Sequence, residues 1–109
     1  MDDIQTYNQE YDRRQYQLML EQILAYENKH LSLRSLTFRL EGLLEVLNDV
    51  SEEWVGVFYE NWGVLELVHA DMIDRNQTHL DKRHTTLISN ALQELKQQIQ
   101  AKLEIEDLE

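Results

Sequence analysis

No proline interrupts the 109 residues, and only Gly42, Gly56 and Gly63 are glycine. This constrains the fold more than any motif does. Proline inside a helix costs ~3 kcal/mol and glycine ~1 kcal/mol, so a chain nearly free of both can carry long helices. Leu, Glu and Gln, all good helix formers, dominate the composition. The Val/Ile/Thr alternation bounded by turn residues that marks strands is missing, as are internal repeats and low-complexity linkers. The length suits one domain, and the 42% apolar content is enough for one core.

Apolar periodicity predicts four helical segments. The first covers roughly residues 3 to 29, with a stripe of Tyr16, Met19, Leu20, Ile23 and Tyr26. An earlier stripe of Ile4, Tyr7 and Tyr11 is out of phase with it, which predicts a bend or break near Arg13 and Arg14, or a loosely held first dozen residues. The second covers roughly 33 to 49, capped by Ser32 and burying Leu36, Leu40, Leu43, Leu44 and Leu47. The third covers roughly 52 to 75, capped by Ser51, with a seam of Val55, Phe58, Trp62, Leu65, His69 and Met72. The fourth covers roughly 79 to 104, where Thr78 and Asp81 are spaced as a capping-box variant ahead of Ile88, Leu92, Leu95, Ile99 and Leu103. The acidic tail from Glu104 to Glu109 is expected to fray. Short connections near residues 30 and 50 favour antiparallel neighbours, so the expected fold is an all-α, compact antiparallel bundle of about four helices in a single domain spanning residues 1–109.

Charge narrows the function. The net charge is −11, from 21 acids and 10 bases. That opposes nucleic acid and anionic membranes and favours a cationic protein partner. No apolar run approaches the ~20 residues of a membrane span, and the start has neither the basic nor the apolar region of a signal peptide. Cysteine is absent, which removes disulfides and thiolate metal sites and suits a cytoplasmic location. From Glu41 to Asp74 there are nine acids and no Lys or Arg. Glu41, Glu45 and Asp49 stand at i, i+4 and i+8, a like-charge row that costs a helix a few tenths of a kcal/mol per pair. The acids expected to meet a partner are Asp49, Glu52, Glu53, Glu60, Asp71 and Asp74, with Tyr59 as an aromatic anchor and Glu41 and Glu45 in support.

Competing chemistry is weaker. Glu-x-x-His occurs twice, as Glu27 with His30 and Glu66 with His69, and di-iron bundles use two such pairs. The first pair falls at a polar helix end, so no metal or other cofactor is expected. His69 reads as a hydrogen-bonded residue at the core edge, and His79 and His84 as surface residues around a helix start. No Gly-rich loop cradles a phosphate, and no nucleophile is spaced with a base, so an enzyme is not expected. Gly56, Gly63 and Ala70, seven apart on the third helix, are read as a small-residue stripe that admits either a closely packed neighbouring helix, the preferred reading, or a partner pressed on bare backbone.

One run has a wider likeness. Leu33, Leu36, Leu40-Glu41, Leu43-Leu44 and Leu47, followed by Glu53-Trp54, Phe58, Trp62, Leu65-Glu66, Ala70 and Asp74, span less than half of the chain. This run resembles small all-α bacterial immunity proteins of the polymorphic-toxin type, including contact-dependent growth inhibition. The Glu-Trp, Trp and Leu-Glu elements are its more specific part. The resemblance implies a cytoplasmic protein that binds and neutralises one cognate toxin, often a nuclease with a basic cleft. It implies the fold and no particular binding residues. The other reading is a non-enzymatic helical adaptor or regulatory protein, with a homo-oligomer open.

Overall fold

All four expected helices form, with ends that differ from the sequence reading. The computed structural model describes the backbone of residues 3–107 and the side chains of residues 7–104. Helix α1 is Asp3–Glu27, α2 is Leu33–Glu45, α3 is Glu52–Asp74 and α4 is Lys82–Asp107. Each helix packs against two neighbours, in the order α1–α2, α2–α3, α3–α4 and α4–α1. Side-chain bonds set the directions. Arg39 reaches Gln22, Trp62 reaches the Thr37 carbonyl, and Gln98 reaches the Trp54 carbonyl, so neighbours in sequence run antiparallel. The product is an all-α four-helix bundle of 55 × 25 × 18 Å.

The expected stripes supply the core. Tyr16, Met19 and Ile23 of α1 meet Leu36, Leu40 and Leu44 of α2, Phe58, Leu65 and Val68 of α3, and Ile88, Leu92, Leu95 and Ile99 of α4. A run of aromatic rings crosses this core. Tyr16 meets Trp54 edge-on at 5.6 Å, Trp54 stacks on Phe58 at 5.6 Å, and Tyr59 meets Trp62 edge-on at 5.5 Å. Such pairs add ~0.5–1.5 kcal/mol beyond the area they bury. On α3 the buried residue near the C-terminal end is Val68, while His69 is only half-buried.

The predicted break at Arg13–Arg14 does not occur, for α1 is continuous through it. Tyr7 stacks on Tyr11 at 6.5 Å, the Arg14 guanidinium lies 5.9 Å from the Tyr11 ring, and Arg13 donates to the Leu103 carbonyl at 3.2 Å. The phase change has another cause. Asp12 sits level with the α2–α3 turn, so the residues before it lie past the end of α2. They lack the α2 neighbour that fixes the later stripe. Ile4 lies outside the residues whose side chains are described.

That turn also ends α2 four residues earlier than expected. The Asp12 side chain is buried, and its carboxylate accepts from the Asn48 amide at 2.8 Å and the Asp49 amide at 2.7 Å. These amides would otherwise have continued the helix by bonding to carbonyls one turn back. Asp49 therefore leaves the helix, and the like-charge row shortens to Glu41 and Glu45. Ser32 and Ser51 cap α2 and α3 as expected, each accepting from an amide three residues on at 3.1 Å. On α4 the cap is Asp81 alone, accepting from the His84 amide at 2.8 Å, while Thr78 bonds to the His79 ring. The helix starts at Lys82 for that reason, and the acidic tail is helical as far as Asp107.

Candidate partner-binding face

The acids of the central segment separate into two groups once the fold is formed. Glu45, Asp49, Glu52, Glu53, Glu60 and Asp74 are exposed, and none forms an ion pair or side-chain hydrogen bond among the described residues. The outermost line of α3 is Glu53, Gly56, Glu60, Gly63, Leu67, Ala70 and Asp74, spaced alternately three and four residues apart. It runs for about 32 Å at ~1.5 Å per residue. Glu52 begins α3 just before it, Asp49 lies on the α2–α3 turn, and Glu45 is the last residue of α2.

Two of the expected contact residues are committed inside the molecule. Asp71 faces α4, accepting from His84 Nε2 at 2.8 Å and from Arg75 Nε at 3.2 Å. The His84 hydrogen bond first, and the nearby Arg75 and His84 charges after it, hold the Asp71 carboxyl below its ordinary range. Tyr59 packs between Phe58 and Trp62 and donates its hydroxyl to Glu41 Oε2 at 3.3 Å. Partial burial, then the Glu41 charge, raises its phenol. Tyr59 is thus a core-edge ring, and Glu41 is tied down with it.

His84 is the largest correction to the sequence reading. It was expected at the surface, yet only 3% of it is exposed. Its Nε2 meets Asp71 of α3, and its Nδ1 lies 3.4 Å from Asp81 without hydrogen-bond geometry. The amide of His84 is also the chief cause of the lowered Asp81 carboxyl. Both ring nitrogens face carboxylates, so His84 is a strut between α3 and the start of α4. The sequence held a signal for this: His84 continues the stripe Ile88, Leu92, Leu95 and Ile99 one turn backward.

The glycines also differ from expectation. A Cβ placed on Gly42, Gly56 or Gly63 meets nothing within 4 Å. No helix approaches there, so close helix packing does not account for Gly56 and Gly63. Gly56 is exposed and Gly63 partly so, and both leave α3 without a side chain between its acids. The metal reading is not supported by proximity: among the described residues no three or more His, Asp or Glu side chains are grouped to hold a metal ion. Glu27 instead pairs with Lys96 at 2.8 Å.

Sequence periodicity passed over one exposed ring. Phe38 is 79% exposed on α2. It follows Thr37, whose carbonyl receives the Trp62 indole N–H at 2.8 Å, so it stands level with the middle of the acidic line on α3. Its signal was phase, since it falls off the stripe Leu36, Leu40, Leu44. Large exposed aromatics in polar surroundings are typical interface anchors.

Among the described residues, no helix is long and apolar enough to cross a membrane. No protein-family model, curated protein or solved structure matches the chain.

Proposed function

We propose that this protein is a non-enzymatic binding protein that captures a cationic protein partner on the outer face of α2, α3 and the turn between them. The observation that carries the reading is the set of six exposed, unpaired acids on that face. Helix stability explains some of them. Glu52 and Glu53 lie in the first turn of α3, where the helix dipole favours anions. It does not explain Glu60, in mid-helix, or Asp74, in a last turn that has no base and where an anion opposes the dipole. Charges kept against local stability are accounted for by a partner that uses them.

Taken with the immunity-protein resemblance, the partner is a cognate bacterial toxin domain, a nuclease with a basic cleft, met in the cytoplasm. Carboxylates along one helix face would speed the encounter by long-range attraction and stand where the toxin's cleft expects phosphates. Phe38 would serve as the desolvated anchor, and the strip at Gly56, Gly63 and Ala70 would let partner backbone come close.

The test is whether a basic toxin domain is encoded beside this protein and co-purifies with it, followed by the rate of association. Glu52→Gln, Glu53→Gln and Glu60→Gln together should slow association at least ~10-fold at low salt. Absence of any complex, or an unchanged rate in the triple variant, refutes the reading.

A second reading, a self-associating helical adaptor, draws on Tyr7, which is 61% exposed beyond the α2–α3 turn. Light scattering separates the two: a mass that rises with concentration favours the adaptor, and a constant monomer mass removes it.

A further inference from the structure

A cleft of about 210 Å³ opens between the C-terminal end of α3 and the start of α4. It adjoins the acidic line at Leu67 and differs from it in charge. Two guanidiniums, Arg75 and Arg83, stand on it, and Leu67, Val68 and Leu87 form apolar walls. His84 lies along the same cleft, with its side chain only 4% exposed and its Nδ1 buried without a hydrogen-bond partner. In a chain of net charge −11, this gathers cations beside aliphatic surface.

The two arginines are differently placed. Arg75 holds Asp71 through Nε, and its terminal nitrogens bond to nothing else among the described residues. Arg83 forms no ion pair or hydrogen bond among the described residues at all. A free guanidinium offers paired N–H donors in a plane, the geometry that a carboxylate accepts. Asp71 on the same cleft disfavours multiply charged anions, as does the negative field of the whole molecule. The volume equals that of roughly seven waters at ~30 Å³ each, which suits a molecule of a few heavy atoms.

We propose that this cleft binds a small carboxylate carried on a short aliphatic stem, its carboxylate held by Arg83 and Arg75 and its stem lying against Leu67, Val68 and Leu87. The carboxylate adds to the Asp71–Arg75 pair without breaking it, because it uses the terminal nitrogens. His84 keeps α3 and α4 at the spacing the stem requires. This site shares Leu67 with the edge of the proposed partner face, but the reasoning for it does not depend on that reading.

The experiment is an amide and methyl NMR titration of the full chain with 4-methylpentanoate, with 4-methylpentanamide and inorganic phosphate as comparison probes. The carboxylate should give saturable shifts at Leu67, Val68, Arg83 and Leu87. Arg83→Gln should weaken it by about tenfold, with helix content unchanged because Arg83 supports no other contact. Arg83→Lys, which keeps the charge and loses the fork, should fall between the two and serves alone if the Gln variant misfolds. The proposal is overturned by an absence of saturable shifts, by equal binding of the amide, or by full binding in both Arg83 variants. Phosphate binding as tightly as the carboxylate would mark a bare anion site and overturn the aliphatic part.

Discussion

The two helix pairs of this bundle use charge in opposite ways. On the α1–α4 side, three cations are tied into the fold, while Arg83 stands free among the described residues. Lys96 bridges to Glu27 at 2.8 Å, Arg13 reaches the Leu103 carbonyl, and Lys102 lies 5.9 Å from the Trp54 ring. On the outer side of α2 and α3, Glu45, Asp49, Glu52, Glu53, Glu60 and Asp74 meet no such partner. Those three cations are explained by packing and pairing. The acids of the second side have no such account, which is the ground for the proposed partner.

Changes to the paired, buried groups should cost the most stability. Asp12→Ala removes the acceptor for two amides of the α2–α3 turn and should lower unfolding free energy by about 3 kcal/mol in urea titrations. Asp12→Asn keeps one acceptor and should cost about half as much. His84→Ala should cost about 2 kcal/mol by loss of the link from α3 to α4. A His84→Ala protein as stable as the wild type would show that the strut carries no weight.

The same strut has a pH signature. The folded-state carboxyls of Asp71 and Asp81 are lowered, so their contribution is present above the unfolded carboxylate value of ~3.9 and is lost as pH falls through the folded values. Acid destabilisation from these two groups therefore belongs below about pH 4. In His84→Ala the Asp71 midpoint, followed by carboxyl NMR, should rise toward its ordinary value.

The unpaired side should behave in reverse, with little change in stability and large changes in binding. Phe38→Ala should leave unfolding within ~0.5 kcal/mol of wild type, because the ring is exposed, yet weaken partner affinity at least ~10-fold. Gly56→Ala and Gly63→Ala should each stabilise the free protein by ~0.5–1 kcal/mol, because nothing obstructs a methyl group there. If the strip touches the partner, the same changes should slow or weaken binding. Asp74→Asn should give the smallest effect, a gain of ~0.3–1 kcal/mol from relieving the helix dipole.

What the sequence revealed follows from which forces are local. Four helices were legible because each has an apolar stripe several turns long, and Ser32 and Ser51 were legible because caps act over three residues. The end of α2 was not, because the group that stops it, Asp12, is 36 residues away from Asn48. His84 was misjudged because a polar residue at a helix start was weighed as a cap neighbour rather than as the next member of a stripe. Of the candidate face, the lack of bases between Glu41 and Asp74 was legible as composition. Which acids are free was not: Asp71 is engaged by His84 and Arg75, and that pairing exists only when α3 and α4 meet.

The division between a paired scaffold and an unpaired acidic face, the one proposed for docking, is tested most directly by stopped-flow association with the cationic protein that co-purifies with this chain, across a range of salt. At ~0.1 M salt the screening length is ~10 Å, so attraction by the acidic line should fade steeply as salt rises. The wild type should associate fast at low salt and lose at least ~10-fold in rate at high salt, while the Glu52, Glu53 and Glu60 to Gln variant should be slow and nearly insensitive to salt. Equal rates and equal salt dependence in the two proteins would contradict the account.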